Sequence, residues 1–370
     1  MQSRYGLKAF TAVMLLISLV CFPAAAGPYI LIDVGSGRVL AQDDIFKRWY
    51  PASLTKLMTA YVSFRAVENG ELQMNSPVYI SRSALNEPPS KMGYPAGSVL
   101  TLDNALKIIM VKSANDVATA IAESVGGSKT AFVARMNEEA SRLGMTDTHF
   151  ANAHGLHSTE NYSTARDIAL LVRAIRTEFP QYAGYFSIEG LQAGDKVLPN
   201  YNFLVGRFDG ADGMKTGYVC ASGFNLVATA TRGQHTLAAV VLGAHSQVER
   251  AEKAAELLTQ GFESVGSVAP SLASLRPSDP ARHQPTDMRP EICTAEAVAK
   301  RQDERDDEGR LIVASPHVFP MQREPRLVAV GLGGADGPPS SAPRYADVPV
   351  PTPRPEYPPA EAYATGGEGG

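Results

Sequence analysis

Cysteine is scarce in this chain of 370 residues: it occurs only at positions 21, 220 and 293. The first lies in an N-terminal apolar run, and the other two are far apart in sequence. They allow one disulfide in an oxidising compartment, and they exclude a fold built on a disulfide framework. Charge is modest too, with 19% charged residues and a net charge of −4. No basic stripe marks the chain, so a nucleic-acid partner is not expected. After the first apolar run no stretch is long enough to span a bilayer, so the mature chain is expected to have no membrane helix. There is no G-x-S-x-G elbow, which argues against a Ser-His-Asp hydrolase, and no internal repeat.

The start of the chain has the charged, apolar, small-residue order of a secretory signal. Arg4 and Lys8 precede the apolar run Ala9 to Phe22, and Pro23-Ala24-Ala25-Ala26-Gly27 follows. We read residues 1–26 as a signal peptide cleaved after Ala26 and expect an exported, periplasmic protein. Val20 is bulkier than the residue a lipoprotein processing site wants before its cysteine, so a lipid anchor at Cys21 is disfavoured.

From Pro28 onward the chain reads as an α/β (α+β) mixture. "YILIDV" and "RVLAQ" flank Gly35-Ser36-Gly37 as a hairpin. Helices are expected from Ser53 to Glu68, stopped by Asn69-Gly70, and over Leu102 to Val111, Asn115 to Val125 and Asp167 to Arg176. "GMKTGYV", "GFNLVATAT" and "HTLAAVVLGA" read as an antiparallel meander, and Ser246 to Phe262 as a last helix. The sum is a five-stranded antiparallel sheet covered by helices, with the other helices forming a subdomain. Residues 27–265 would hold the folded domain. Of 26 prolines, 17 fall after Val268, so residues 266–370 are expected to be a mostly disordered tail with a short helix near "EICTAEAVAKRQDE".

Three short motifs carry chemistry. In "WYPASLTKLMTAY" Ser53 and Lys56 lie three apart, on one face of the expected helix. A Ser and a Lys at that spacing arise about once by chance in such a chain, and taken alone they could be a helix cap and a solvated lysine. Two further motifs follow in order: Ser113-Ala114-Asn115 between helices, and Lys215-Thr216-Gly217 on a strand. A serine hydroxyl attacks only when a base takes its proton, and a lysine is a base only if burial or a second cation lowers its pKa. Leu57 and Lys215 could supply those two influences. The backbone N–H of Ser53, at a helix start, and that of Tyr218 would face a developing oxyanion.

S-x-x-K, S-x-N and K-T-G in this order are the signature of serine β-lactamases and penicillin-binding proteins. With "FANAHGL" (150 to 156), "YSTARDIALL" (162 to 171), "DGMKTGYVCASGFNLVATATR" (212 to 232) and "VERAEKAAELLTQGF" (248 to 262), the chain resembles the serine D-Ala-D-Ala carboxypeptidases over about Tyr29 to Phe262. The resemblance implies a β-lactamase/transpeptidase-like fold, no cofactor, peptidoglycan stem peptides as substrate and β-lactams as inhibitors. It implies Ser53 as the acylated nucleophile, Lys56 as its base and Ser113 as a proton relay. Asn115 would bind the substrate amide, and Lys215, Thr216 and Gly217 the terminal D-Ala carboxylate, with Tyr218 beside them and Arg250 assisting. Arg250 also reads as a solvated arginine at a helix start. Ala114 stands where relatives carry glycine, and Tyr218 where many carry histidine. The second, β-rich domain and the C-terminal amphipathic helix of many relatives are not seen here.

Other readings fit some of the same residues. A muropeptide endopeptidase would use the same scaffold. A low-turnover penicillin-binding protein would use the tail to engage a cell-wall or protein partner. A β-lactamase of class A needs a glutamate in an E-x-x-L-N context, and Glu160-Asn161 lacks it. His149, His154 and His157 with Asp147 match no common zinc spacing, so no metal is expected. Cys220 reads as a small strand residue more than as a reactive thiol.

Overall fold

The computed structural model describes residues 27–266, 268–277 and 284–340. The expected signal, its cleavage site and Cys21, and the last thirty positions of the tail, 341–370, lie outside the described residues.

Strands β1 (Tyr29–Asp33) and β2 (Val39–Asp43) form the expected hairpin. Its turn is held by Ser36, whose N–H and hydroxyl both donate to Asp33 Oδ1 at 2.7 Å. A 3-10 turn over Ala52–Leu54 leads into helix α1 (Thr55–Glu68). The short strands β3 (Pro77–Tyr79) and β4 (Val99–Thr101) pair across the one-turn helix α2 (Arg82–Leu85). Helices α3 (Leu102–Val111), α4 (Asn115–Gly126), α5 (Lys129–Arg142) and α6 (Ala165–Glu178) follow. A small hairpin, β5 (Gly190–Ala193) and β6 (Lys196–Pro199), precedes the meander β7 (Ala211–Val219), β8 (Gly223–Arg232) and β9 (His235–Ala244), and then α7 (Gln247–Ser264). Beyond it lie α8 (Arg289–Ile292), α9 (Ala295–Gln302) and β10 (Leu327–Ala329).

The main sheet is five-stranded and antiparallel, in the order β2-β1-β9-β8-β7. Its central strands β8 and β9 are buried along eight consecutive residues each, so both faces are covered. Helix α7 packs on β8 and β9, and α6 on β9 and β1. Helix α1 is buried almost all round, as a helix threaded through a core must be. Strand β7 is left at the sheet edge, facing the turn that carries Ser53.

The helix expected from Ser53 starts two residues later, because Ala52 takes a left-handed φ of 48° and the chain needs a tighter turn to enter α1. Helix α5 adds to the expected set. Ser128 caps it by accepting the Ala131 N–H at 3.1 Å, and Phe132, Met136 and Ala140 form its buried stripe.

Within the 266–370 tail, expected to be mostly disordered, the described residues pack on the domain. Leu272, Met288, Ile292, Val318 and Val330 are buried there. Strand β10 adds in parallel to β5, and Cys293 is disulfide-bonded to Cys220. Arg323 forks onto Glu189. Composition alone suggested too little apolar surface to order the segment, but it borrows the surface of the domain it wraps and is tethered covalently. Cys220 is therefore neither a reactive thiol nor a free buried residue. The expected helix near "EICTAEAVAKRQDE" is α9.

Candidate active site

The turn bearing Ser53 is fixed from beneath by Asn225, a fully buried residue of β8. Its Nδ2 donates to Tyr50 O at 2.9 Å and Pro51 O at 3.2 Å, and its Oδ1 accepts the Gly243 N–H at 2.9 Å. Trp49 Nε1 donates to Ser222 O at 2.8 Å, tying the same segment to the β7–β8 turn. Two glycines let backbone press against the serine. A Cβ at Gly217 would lie 2.8 Å from Pro51 O and 3.1 Å from Ser53 N, and one at Gly155 would fall 1.9 Å from Ala52 O. Ala52 and Ser113 are both non-glycine residues in left-handed backbone, at φ 48° and 61°. Such strain persists only where surrounding contacts over-determine it, and it concentrates at functional sites.

Lys56 is fully buried, and its Nζ donates to Ser53 Oγ at 3.1 Å, Asn115 Oδ1 at 2.8 Å and His154 O at 2.5 Å. Burial and then the charge of Lys215 hold its ammonium well below the usual lysine range, against the opposing pull of Asp116 and Glu87. A lysine whose charged form is disfavoured in this way is suited to accept a proton from an adjacent hydroxyl. Among the described residues, the buried Oγ of Ser113 has no hydrogen-bond partner, so its donor and acceptor capacity is available to a group entering the site.

Lys215 is likewise buried, with Nζ donating to Thr216 O at 3.1 Å, and burial followed by Arg250 lowers it to about 7. Arg250 reaches in from α7 and donates to Gly217 O at 3.3 Å and Asn225 O at 3.1 Å, and burial lowers it to about 9. Its reading as a solvated arginine is corrected: the first turn of α7 packs on the sheet and turns the side chain inward. The hydrogen bonds of these two cations go to backbone carbonyls, so the site presents positive charge that an incoming carboxylate would satisfy.

The fold thus brings together Ser53, Lys56, Ser113, Asn115, Lys215, Thr216, Gly217, Tyr218 and Arg250. The amide of Asn115 is engaged from both ends, since its Nδ2 donates to Pro88 O at 3.0 Å while Oδ1 serves Lys56. Three further contributors carry little or no signal in the sequence. The carbonyl of His154 holds Lys56, and the motif "FANAHGL" marked the loop but not the atom. Asp116, next to Asn115, accepts from Met92 N and Gly93 N at 3.0 and 2.8 Å and so secures the rim loop. Asn225 gave no signal within a β-rich run. The histidines do separate work: burial lowers His154 to about 3, His149 Nδ1 meets Glu160 O at 2.6 Å, and His157 packs edge-on against Tyr50.

A serine beside a desolvated lysine, a second serine on the facing helical wall and a cationic edge strand make up a site fitted to serine acyl transfer. The family model described as D-alanyl-D-alanine carboxypeptidase (peptidase S11) matches residues 21–246. The chain is 34% identical over 281 residues to D-alanyl-D-alanine carboxypeptidase DacC of Escherichia coli K12, covering 72% of this chain and 70% of DacC. It is 36% identical over 252 residues to DacA of the same strain, covering 66% of this chain and 62% of DacA, so the match spans under two thirds of that relative. Penicillin-binding protein D2 of Listeria monocytogenes, solved in its cefotaxime-bound form, superposes with a TM-score of 0.59 at 28% identity, over 64% of this chain and 97% of that one. The chain belongs to the D-alanyl-D-alanine carboxypeptidase family of serine peptidases.

Proposed function

We propose that this protein is a periplasmic D-alanyl-D-alanine carboxypeptidase acting on peptidoglycan stem peptides, and that β-lactams acylate it. The observation that carries the reading is Lys56 Nζ at 3.1 Å from Ser53 Oγ, fully buried and pushed down by burial and Lys215. The terminal carboxylate sits against Lys215, Thr216 and Arg250. Ser53 Oγ attacks the penultimate D-Ala carbonyl and passes its proton to Lys56. The oxyanion faces the N–H groups of Ser53 and Tyr218, which the approach of Gly217 to Ser53 N makes neighbours. The C–N bond breaks, the leaving amine takes the proton by way of Ser113, and water then hydrolyses the ester. The cefotaxime-bound form of the Listeria relative supports β-lactam binding. Glu160 is exposed, and Glu160-Asn161 lacks the E-x-x-L-N context of a class A deacylation glutamate.

The test is free D-Ala released from a soluble tripeptide ending in D-Ala-D-Ala, run beside a cross-linked muropeptide dimer. Release from the tripeptide that disappears in Ser53→Ala supports the proposal. Cleavage of the dimer alone would instead establish the endopeptidase.

A further inference from the structure

Alternate side chains of a strand share a face, so Tyr218 points the same way as Thr216. Tyr218 is 42% exposed. The covered side stacks on Phe224, with centroids 4.3 Å apart and planes 28° apart. Phe224 is itself buried, with the guanidinium groups of Arg250 and Arg301 at 5.7 and 5.4 Å from its centroid. The Tyr218 hydroxyl lies 3.4 Å from Cys293 Sγ. The ring therefore has one fixed face, a fixed rim and one open face beside the carboxylate seat.

What fixes the rim comes from the C-terminal segment. Cys293 follows α8 and is bonded to Cys220, two residues past Tyr218. Ile292 is fully buried, Met288 N–H donates to Ala221 O at 3.1 Å, and Arg301 Nη2 donates to Ile292 O at 2.8 Å. The start of the segment brings the charges of Asp287 and Arg289 within reach of both Tyr50 and His157, whose rings meet at 4.8 Å. Residues 287–293 thus run along the rim between Tyr218 and Tyr50, the latter three residues before Ser53.

We infer that residues 287–293, fastened by the Cys220–Cys293 bond, form an outer wall of the substrate cleft and hold the Tyr218 ring as a platform for the peptide chain leading to the scissile bond. The inference rests on the carboxypeptidase reading. With the terminal carboxylate at Lys215 and Thr216 and the scissile carbonyl at the Ser53 and Tyr218 N–H groups, the preceding residues of the stem peptide pass over that ring. A rigid aromatic platform lowers the ordering cost of an extended ligand, and it does less for a compact one such as a small penicillin. The wall is a positioning device, so its loss should be felt in KM before kcat.

The experiment uses the full, oxidised protein before reduction, after a thiol reductant has opened Cys220–Cys293 as shown by mass, and after re-oxidation. Cys293→Ser is run in parallel. KM and kcat are read for D-Ala release from the tripeptide, with the acylation rate by a small penicillin as the measure of an intact serine site. The expected result is a KM raised about tenfold with kcat changed by less than about threefold, a smaller change in penicillin acylation, full recovery on re-oxidation, and the same pattern in Cys293→Ser. An unchanged KM in protein with both thiols free overturns the inference. So does a joint loss of kcat, KM and penicillin acylation, which would make the bond a general support of the fold. If oxidised wild type takes penicillin but releases no D-Ala, the carboxypeptidase reading itself fails, a distinct outcome visible before any reduction.

Discussion

In residues 27–266 order comes from burial: β8 and β9 are covered along most of their length, and α1 nearly all round. In residues 284–340 few side chains are buried, and the segment is held by one disulfide, a three-residue parallel strand and arginine pairs. The difference matters for chemistry. Depressing a lysine needs a dry environment on every side, which only the first region can supply. The second region adds shape and charge at the rim of the site through discrete tethers. It can be loosened without dissolving the core, so chemistry and support should separate by mutation.

The largest effect expected is in the core. Lys56→Ala should lower D-Ala release by about 10²- to 10⁴-fold, measured as kcat, in a protein that still unfolds cooperatively in a thermal melt, because the proposed base is lost while the surrounding core remains. A loss of activity explained by unfolding would break the division. Lys215→Gln comes next. Losing the carboxylate seat should raise KM by about thirtyfold or more. It should also move the low-pH limb of penicillin acylation to higher pH. The sign follows from linkage: Lys56 must be unprotonated to act, Lys215 lowers its pKa, and removing that charge lets the pKa rise. A limb that moved to lower pH would contradict the electrostatic account.

In the second region, Ile292→Ala should cost about 2–4 kcal/mol by opening a cavity under α8, read in a thermal melt, while kcat stays within about threefold of wild type. A fall in kcat matching that of Lys56→Ala would erase the contrast between the regions. The smallest effect belongs to the outermost pairs. Arg310 lies 2.7 Å from Asp306, but its side chain is 74% exposed, and Arg310→Ala should leave both the melting midpoint and KM unchanged.

The catalytic half was legible because its chemistry is written in three local motifs and its strands alternate or run apolar over lengths a single sheet explains. Leu102–Val111 and His235–Ala244 appear where their patterns place them. What sequence could not show was set by tertiary contact. The His154 carbonyl is a backbone atom with no residue type to betray it, and Asn225 acts through Tyr50 and Pro51, far away in the chain. The packing of the described tail residues was not legible because proline content and low apolar density describe a segment by itself, whereas these residues rest on surfaces such as the β5 edge and the seat of Ile292. Cys220 and Cys293 were visible as a pair, but nothing local said that their bond would close beside Tyr218.

The most direct test of the central claim is the intact mass of wild type and Ser53→Ala after incubation with a penicillin, followed by peptide mapping of the adduct. The account predicts one penicilloyl group on wild type, mapped to Ser53, and none on Ser53→Ala. An adduct that persists in Ser53→Ala, or maps elsewhere, would contradict the assignment of Ser53 as nucleophile and Lys56 as its base.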